Sequence, residues 1–239
     1  MKETILNWLH LLLDLFYPKL CAACSAHLTP TEELICIICE SDLAVSHFFD
    51  YDSNPIEKLF WGRVQIKAAG SLFYFHKKSG IQNMMHLLKY KQRKDIGKWM
   101  GQKLGESLLK SGRFESVDVL IPVPLHWRRL WGRGFNQSEL LCRQLRSSSA
   151  VISMATLDHR SVRRTRATQA QSSIRAAQRS ANLKHAFTAI KRYDNLRVAI
   201  VDDVFTTGAT AAELASTLRS AGADHVEVWC LARTPGPGH

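Results

Sequence analysis

The sequence has no G-x-x-x-x-G-K-[ST] phosphate loop, no unbroken apolar run long enough to span a bilayer, no internal repeat and no low-complexity tract. The first absence removes the usual nucleoside-triphosphatase reading. The second excludes a membrane-spanning helix, since the longest apolar stretch, Trp8 to Phe16, is broken by His10 and Asp14. Acidic residues are also scarce. Asp plus Glu number 21 against 32 Lys plus Arg in 239 residues, a formal net charge of +11. That excess points to anionic partners, whether nucleic acid, phosphorylated metabolites or an acidic membrane face, and says nothing of fold. Apolar residues at 46% and charged residues at 22% are ordinary for a globular protein, which excludes disordered and fibrous classes. Met1-Lys2-Glu3 is not a basic leader and no small-residue cleavage site follows it, so a cytosolic, reducing compartment is expected.

Four of the six cysteines form two pairs, Cys21-x-x-Cys24 and Cys36-x-x-Cys39, while Cys142 and Cys230 stand alone. Each C-x-x-C turn aims two thiolates at one point, and eleven intervening residues bring the turns together, which suits tetrahedral zinc. Four cysteines leave no open position for water, so the expected metal is structural and stands in for a core in a small module. The competing reading is two redox motifs or reduced buried thiols. His27 and His47 are surplus to a complete set and are read as surface residues.

Ahead of the module, Ile5, Leu9, Leu12, Leu13 and Phe16 fall at helical spacing. That segment is expected to dock on its own protein, with a membrane surface or partner as the alternative. Turn chemistry at residues 50–57 marks a junction between residues 1–54 and 55–239. Beyond it, strand signals at Leu72–Phe75, Val117–Val123, Val198–Val201 and Val226–Leu231 alternate with helical ones at Ile81–Tyr90, Ile96–Leu109 and Thr210–Ala221. That alternation predicts an α/β domain with a largely parallel sheet flanked by helices.

The sharpest signal is Val198-Ala-Ile-Val-Asp202-Asp203-Val-Phe-Thr206-Thr207-Gly208-Ala209-Thr210. A buried strand ends in two carboxylates, and a Thr/Gly loop then enters a helix. Ligands of open α/β sheets bind beyond the carboxyl ends of strands. A glycine-containing loop at a helix start offers N–H groups and hydroxyls to phosphate, while adjacent carboxylates accept hydrogen bonds from sugar hydroxyls or help to hold hydrated Mg2+. The bland alternative is a pair of acids that merely ends a strand.

Residues 202–210 resemble the phosphoribosyl pyrophosphate (PRPP) motif of type I phosphoribosyltransferases. Together with Ile121-Pro-Val-Pro-Leu-His-Trp-Arg-Arg-Leu-Trp-Gly-Arg-Gly-Phe-Asn-Gln137, the four-cysteine module and Arg164-Thr-Arg-Ala-Thr-Gln-Ala-Gln171, they resemble the ComF/GntX-like family of natural competence. The resemblance implies a type I phosphoribosyltransferase-like parallel sheet with a small zinc-ribbon-like module. It implies ribose hydroxyls at Asp202 and Asp203, a 5′-phosphate at Thr206, Thr207, Gly208, Ala209 and Thr210, and Mg2+ accompanying PRPP. Pyrophosphate falls to the segment 127–137, with Arg128, Arg129 and Arg133 as candidates, because the planar guanidinium fork suits phosphate oxygens. A flexible loop carrying Arg163, Arg164 and Gln171 is expected to close over the ligand.

For single-stranded DNA, the basic residues Lys77, Lys78, Lys89, Lys91, Arg93 and Lys94 lie near Tyr74, Phe75 and Tyr90. Charge beside aromatics can track a strand by phosphate contact and base stacking. Lys89, Lys91, Arg163 and Arg164 are the DNA-binding candidates, and an ordinary solvated surface over core aromatics is the equal alternative. The implied role is handling of single-stranded DNA in uptake, with a competence helicase or another uptake protein as partner, in the cytoplasm or at the inner face of the membrane. The other reading is an active phosphoribosyltransferase of nucleotide metabolism with no direct DNA role. No segment for recognising an acceptor nucleobase is legible, so turnover is left open.

Overall fold

The computed structural model describes residues 18–114, 117–148, 150–165 and 186–235. The expected helix at residues 5–16 lies outside them. In chain order the elements are α1 (Ile37–Ser41), a single 3-10 turn (Glu57–Leu59), β1 (Ala68–Tyr74), α2 (Gly80–Tyr90), α3 (Lys94–Ser111), β2 (Val119–Pro122), α4 (Trp127–Arg133), α5 (Gln137–Ser148), α6 (Ala150–Ser153), β3 (Thr156–Leu157), β4 (Val162–Arg164), β5 (Phe187–Ala189), β6 (Arg197–Phe205), α7 (Ala209–Ser220) and β7 (His225–Arg233). No helix among the described residues is long and apolar enough to cross a membrane.

Five strands form one sheet in the order β1-β7-β6-β2-β3, every neighbouring pair parallel. The central strands are apolar on both faces because both are covered. Along β7, Val226 to Ala232 are all buried. One face packs against α2, α3 and α5 through Met84, Leu88, Met100, Leu104, Leu141 and Leu145. The other packs against α7, the turn at residues 57–59 and the antiparallel β4–β5 ribbon. The start of the sheet is pinned by Arg197, whose Nη2 and Nε reach Asp118 Oδ1 and Oδ2 at 2.9 and 3.2 Å.

Glycine sets how closely α3 and α5 pack. Gly97, Gly101 and Gly105 recur every fourth residue on the buried side of α3. A Cβ at Gly101 would lie 2.7 Å from Gln144 Cβ, and one at Gly97 would strike Leu140.

The cysteine-bearing segment shares the main core. Ala22, Ala23 and Ile35 pack in the same cluster as Met84, Met85 and Leu88. Asn83 Nδ2 donates to Ala23 O at 2.8 Å, and a Cβ on Gly80 would lie 2.9 Å from Ala23 Cβ. The junction at residues 50–57 is packed rather than loose, because fully buried Asn54 donates to Phe48 O and Ala69 O at 2.8 and 2.7 Å. Residues 18–52 carry one lysine against six carboxylates, a net charge of −5 inside a chain of net +11.

Candidate functional site

Strand β6 delivers Asp202 and Asp203 to the carboxyl end of the sheet, next to β7 on one side and β2 on the other. Asp202 is buried and Asp203 partly so. Each gives one carboxylate oxygen to the next amide: Asp203 N donates to Asp202 Oδ1 at 2.9 Å and Val204 N to Asp203 Oδ1 at 2.7 Å. The second Asp203 oxygen meets Lys89 Nζ, from the last turn of α2, at 2.6 Å. Burial and the neighbouring Asp203 charge push the Asp202 carboxyl up to about 7, while Lys89 and Arg164 draw it down.

The chain then turns through Thr206, Thr207 and Gly208 into α7. Gly208 is the N-cap at φ +67°, a left-handed conformation that costs an L side chain about 1–2 kcal/mol. Its missing Cβ also spares contact with Leu59, which would lie 3.2 Å away. Thr207 Oγ1 accepts weakly from Ala209 N at 3.4 Å, and Arg63 Nη1 donates to Thr207 O at 3.3 Å. The helix that begins there runs twelve residues, and the amides of a helix's first turn have no intrahelical acceptor.

The other candidates are partly gathered here. Segment 127–137 is largely helical rather than a loop. Trp127–Arg133 forms α4, opened by His126 Nδ1 accepting from Arg128 N at 3.4 Å and closed by Gly134 at φ +76°. Arg128 stacks on Trp127 at 5.3 Å, and Arg133 stacks on Tyr90 at 5.8 Å while donating to Gln137 Oε1 at 3.1 Å. Burial lowers the Arg164 guanidinium; the Arg129 cation lowers it further and the Asp202 carboxylate opposes both. Those field effects place Arg129, Arg164 and Asp202 in one neighbourhood. Arg163, the next residue along the ribbon, is exposed, and Gln171 lies outside the described residues.

Lys89, read from sequence as a DNA contact, faces the acid pair instead, whereas Lys91 is exposed. The exposed aromatics nearby are Tyr90 (62%), Trp127 (60%) and Trp131 (88%). Sequence reasoning overlooked Arg63 and Leu59, which brace the Thr/Gly loop across a long separation and carry no local signal.

The four Sγ atoms of Cys21, Cys24, Cys36 and Cys39 all lie within 4.8 Å of one another, with Cys24 and Cys36 at 3.9 Å. A zinc ion bound at about 2.3 Å by four thiolates separates them by about 3.8 Å, so the donor set fits that metal. Burial raises the Cys21 thiol, but the amides of Cys24, Cys36 and Ala23 outweigh it and bring the group down to about 6. Cys142 and Cys230 are buried singly, far from the thiolate state.

Fold and site together define a parallel α/β protein with a strand-end acid pair, a glycine-capped helix start above it and a four-thiol cluster, the class expected from the sequence. No protein-family model matches the chain. The DNA utilization protein YhgH of Escherichia coli (strain K12) is 40% identical over 157 residues, covering 64% of this chain and 67% of that protein. Its Salmonella typhi counterpart is 40% identical over 154 residues, 63% of this chain and 66% of that protein. Competence protein F of Haemophilus influenzae is 41% identical over 119 residues, 48% of this chain and 50% of that protein. The matched stretch therefore spans about two thirds of the first two relatives and half of the third. The chain belongs to the ComF family. The solved structure of the allosteric regulatory enzyme of purine biosynthesis aligns at 18% identity and a TM-score of 0.37, covering 61% of this chain and 29% of that one, too remote to carry an argument.

Proposed function

We propose that this chain binds a phosphoribosyl pyrophosphate-type ligand at the carboxyl end of β6 and serves DNA utilization, the role named for its relatives. The observation that carries the ligand reading is the sequence of parts along one strand end: buried Asp202 and half-buried Asp203, then a loop held by Gly208 at φ +67°, then a helix start. In this reading Thr206, Thr207, Gly208, Ala209 and Thr210 surround the 5′-phosphate, and the carboxylates accept from ribose hydroxyls. Arg128, Arg129 and Arg133 are the candidates for the diphosphate. Mg2+, when bound, supplies charge neutralisation to the diphosphate. Residues 1–54 form the zinc module and residues 55–239 the ligand-binding domain.

Calorimetric titration with PRPP and Mg2+ tests this. Asp202→Ala and Asp203→Ala should each weaken binding by about 1.5–3 kcal/mol, roughly 10- to 150-fold, through lost charged hydrogen bonds. Equal affinity in the wild type and the double variant would show the motif to be vestigial. Pyrophosphate release with candidate nucleobases separates an active transferase from a protein that only binds.

Direct contact with single-stranded DNA has its own support. Exposed Trp127 and Trp131 alternate with Arg128, Arg129 and Arg133 on α4, which pairs stacking faces with phosphate partners. Lys91 and Arg163 are exposed and free to add charge contacts on the same reading. The partner of such a complex would be a helicase or another uptake protein, and the place of action the cytoplasm or its membrane face.

A further inference from the structure

The basic cluster ahead of α3 divides in two: Lys91 faces water, but the Lys89 side chain is only 18% exposed and Asp203, its partner, 17%. Lys89 is held there by its own helix. Ser79 caps α2, and Ile81, Met84, Met85 and Leu88 are buried, so the last turn has little freedom to rotate. Lys89 Nζ lies 2.6 Å from Asp203 Oδ2, the one oxygen of that carboxylate not already taken by a backbone amide. An ammonium therefore sits where a divalent cation would otherwise engage the acid pair.

We propose that Lys89 is a resident counter-ion that keeps divalent metal off Asp203 until a diphosphate-bearing ligand draws the ammonium away. Two carboxylates on adjacent residues of one strand repel each other, and a nearby cation relieves that repulsion in the empty site. A lysine is suited to this because it is a point charge on a flexible stem and can exchange one oxygen partner for another. A second cation brought to the same carboxylate meets the ammonium at close range in a shielded place, where like charges repel strongly. A diphosphate arriving on the side of Arg129 and Arg133 offers Lys89 a more highly charged acceptor than a single carboxylate. Asp203 is then released to accept from a sugar hydroxyl. Metal admission becomes conditional on the ligand. For the ligand this rests on the phosphoribosyl reading; for the metal it rests on the ion pair alone.

The test uses full-length protein and Mn2+ alone as probe, with no phosphoribosyl compound present, followed by water-proton relaxation at mildly alkaline pH. Lys89→Met should bind Mn2+ roughly tenfold or more tightly than wild type. Lys89→Arg should resemble wild type, and adding Asp203→Ala to Lys89→Met should abolish the gain. In a parallel titration with PRPP and Mg2+, Lys89→Met should bind several-fold more weakly. A merely structural role would weaken both ligands, so the opposite signs are diagnostic. Lys89→Gln serves if the methionine variant does not fold. Mn2+ affinity unchanged or lower in the variants that lack the ammonium overturns the proposal. Wild type that fails to bind PRPP sinks the phosphoribosyl reading, while the Mn2+ comparison still decides the role of Lys89.

Discussion

Stripping the metal from Cys21, Cys24, Cys36 and Cys39 should be felt well beyond the module, because Ala22, Ala23 and Ile35 are part of the main core. Without a tetrahedral anchor the two C-x-x-C turns lose their order, and these side chains lose their fixed places against Met84, Met85 and Leu88. Burial of Ile35 is worth about 2 kcal/mol and the two alanine methyls about 0.8 kcal/mol each. The hydrogen bond from Asn83 to Ala23 adds about 1 kcal/mol. The loss is therefore about 4.6 kcal/mol, and at about 2–4 °C per kcal/mol in a chain of this size the unfolding midpoint should drop by roughly 9–18 °C. The assay is thermal unfolding by circular dichroism with and without a strong chelator, beside metal analysis of protein purified without chelator. One zinc per chain is expected, falling sharply in Cys36→Ser. Substoichiometric metal, or identical midpoints for chelated and loaded protein, would refute the argument.

Two further outcomes are expected. Asp158 is buried and accepts from Tyr193 Oη at 2.9 Å, Ser161 N at 3.0 Å and Lys191 Nζ at 2.6 Å. Burial alone would raise its carboxyl, but Lys191, Ser161 and Tyr193 outweigh burial and hold it well below the usual range. Its contribution to stability is therefore complete above the unfolded value of about 3.9 and lost as pH falls through the depressed folded value. Asp158→Asn should cost about 2 kcal/mol near neutrality and flatten the acid limb of a stability-against-pH curve measured by urea denaturation. An unchanged acid limb would remove Asp158 from that account. For DNA, log affinity for a single strand should fall with log salt at about 0.7 per phosphate contact, a slope near −3 for four contacts, with Trp131→Ala weakening binding. A slope near zero, or no binding at low salt, would defeat direct contact.

Four of the five sheet strands are readable because they are apolar on both faces and close on turn signals; Val198–Val201 and Val226–Leu231 fall inside the observed Arg197–Phe205 and His225–Arg233, whereas the two-residue edge strand Thr156–Leu157 and the β4–β5 ribbon are too short to leave a pattern. Helix α4 was not readable. Its glycines suggest a loop, its cap is an unusual histidine, and it buries no residue that could show a periodic face. The Gly97, Gly101, Gly105 spacing was present in the sequence and overlooked, since glycine in a helix reads as weakness until a neighbouring helix occupies the gap. The place of the acid pair at the end of a buried strand was legible. Its lysine was not, because charge patterning along a chain carries no information about which helix end a fold lays over which strand end. Lys89 looked like one of six similar cations.

The uneven charge of the chain has a consequence for how it meets a polyanion. A segment of net −5 at residues 18–52 leaves +16 on the rest, and a four-thiolate zinc centre would deepen the negative pole by two further charges. Near a nucleic acid the acidic segment is repelled while the rest of the chain is drawn in, within the screening distance of about 8 Å at physiological salt. A polyanion is therefore met by the basic remainder of the chain and not by the four-thiol segment, whose charge helps to decide which side of the protein stays clear of it.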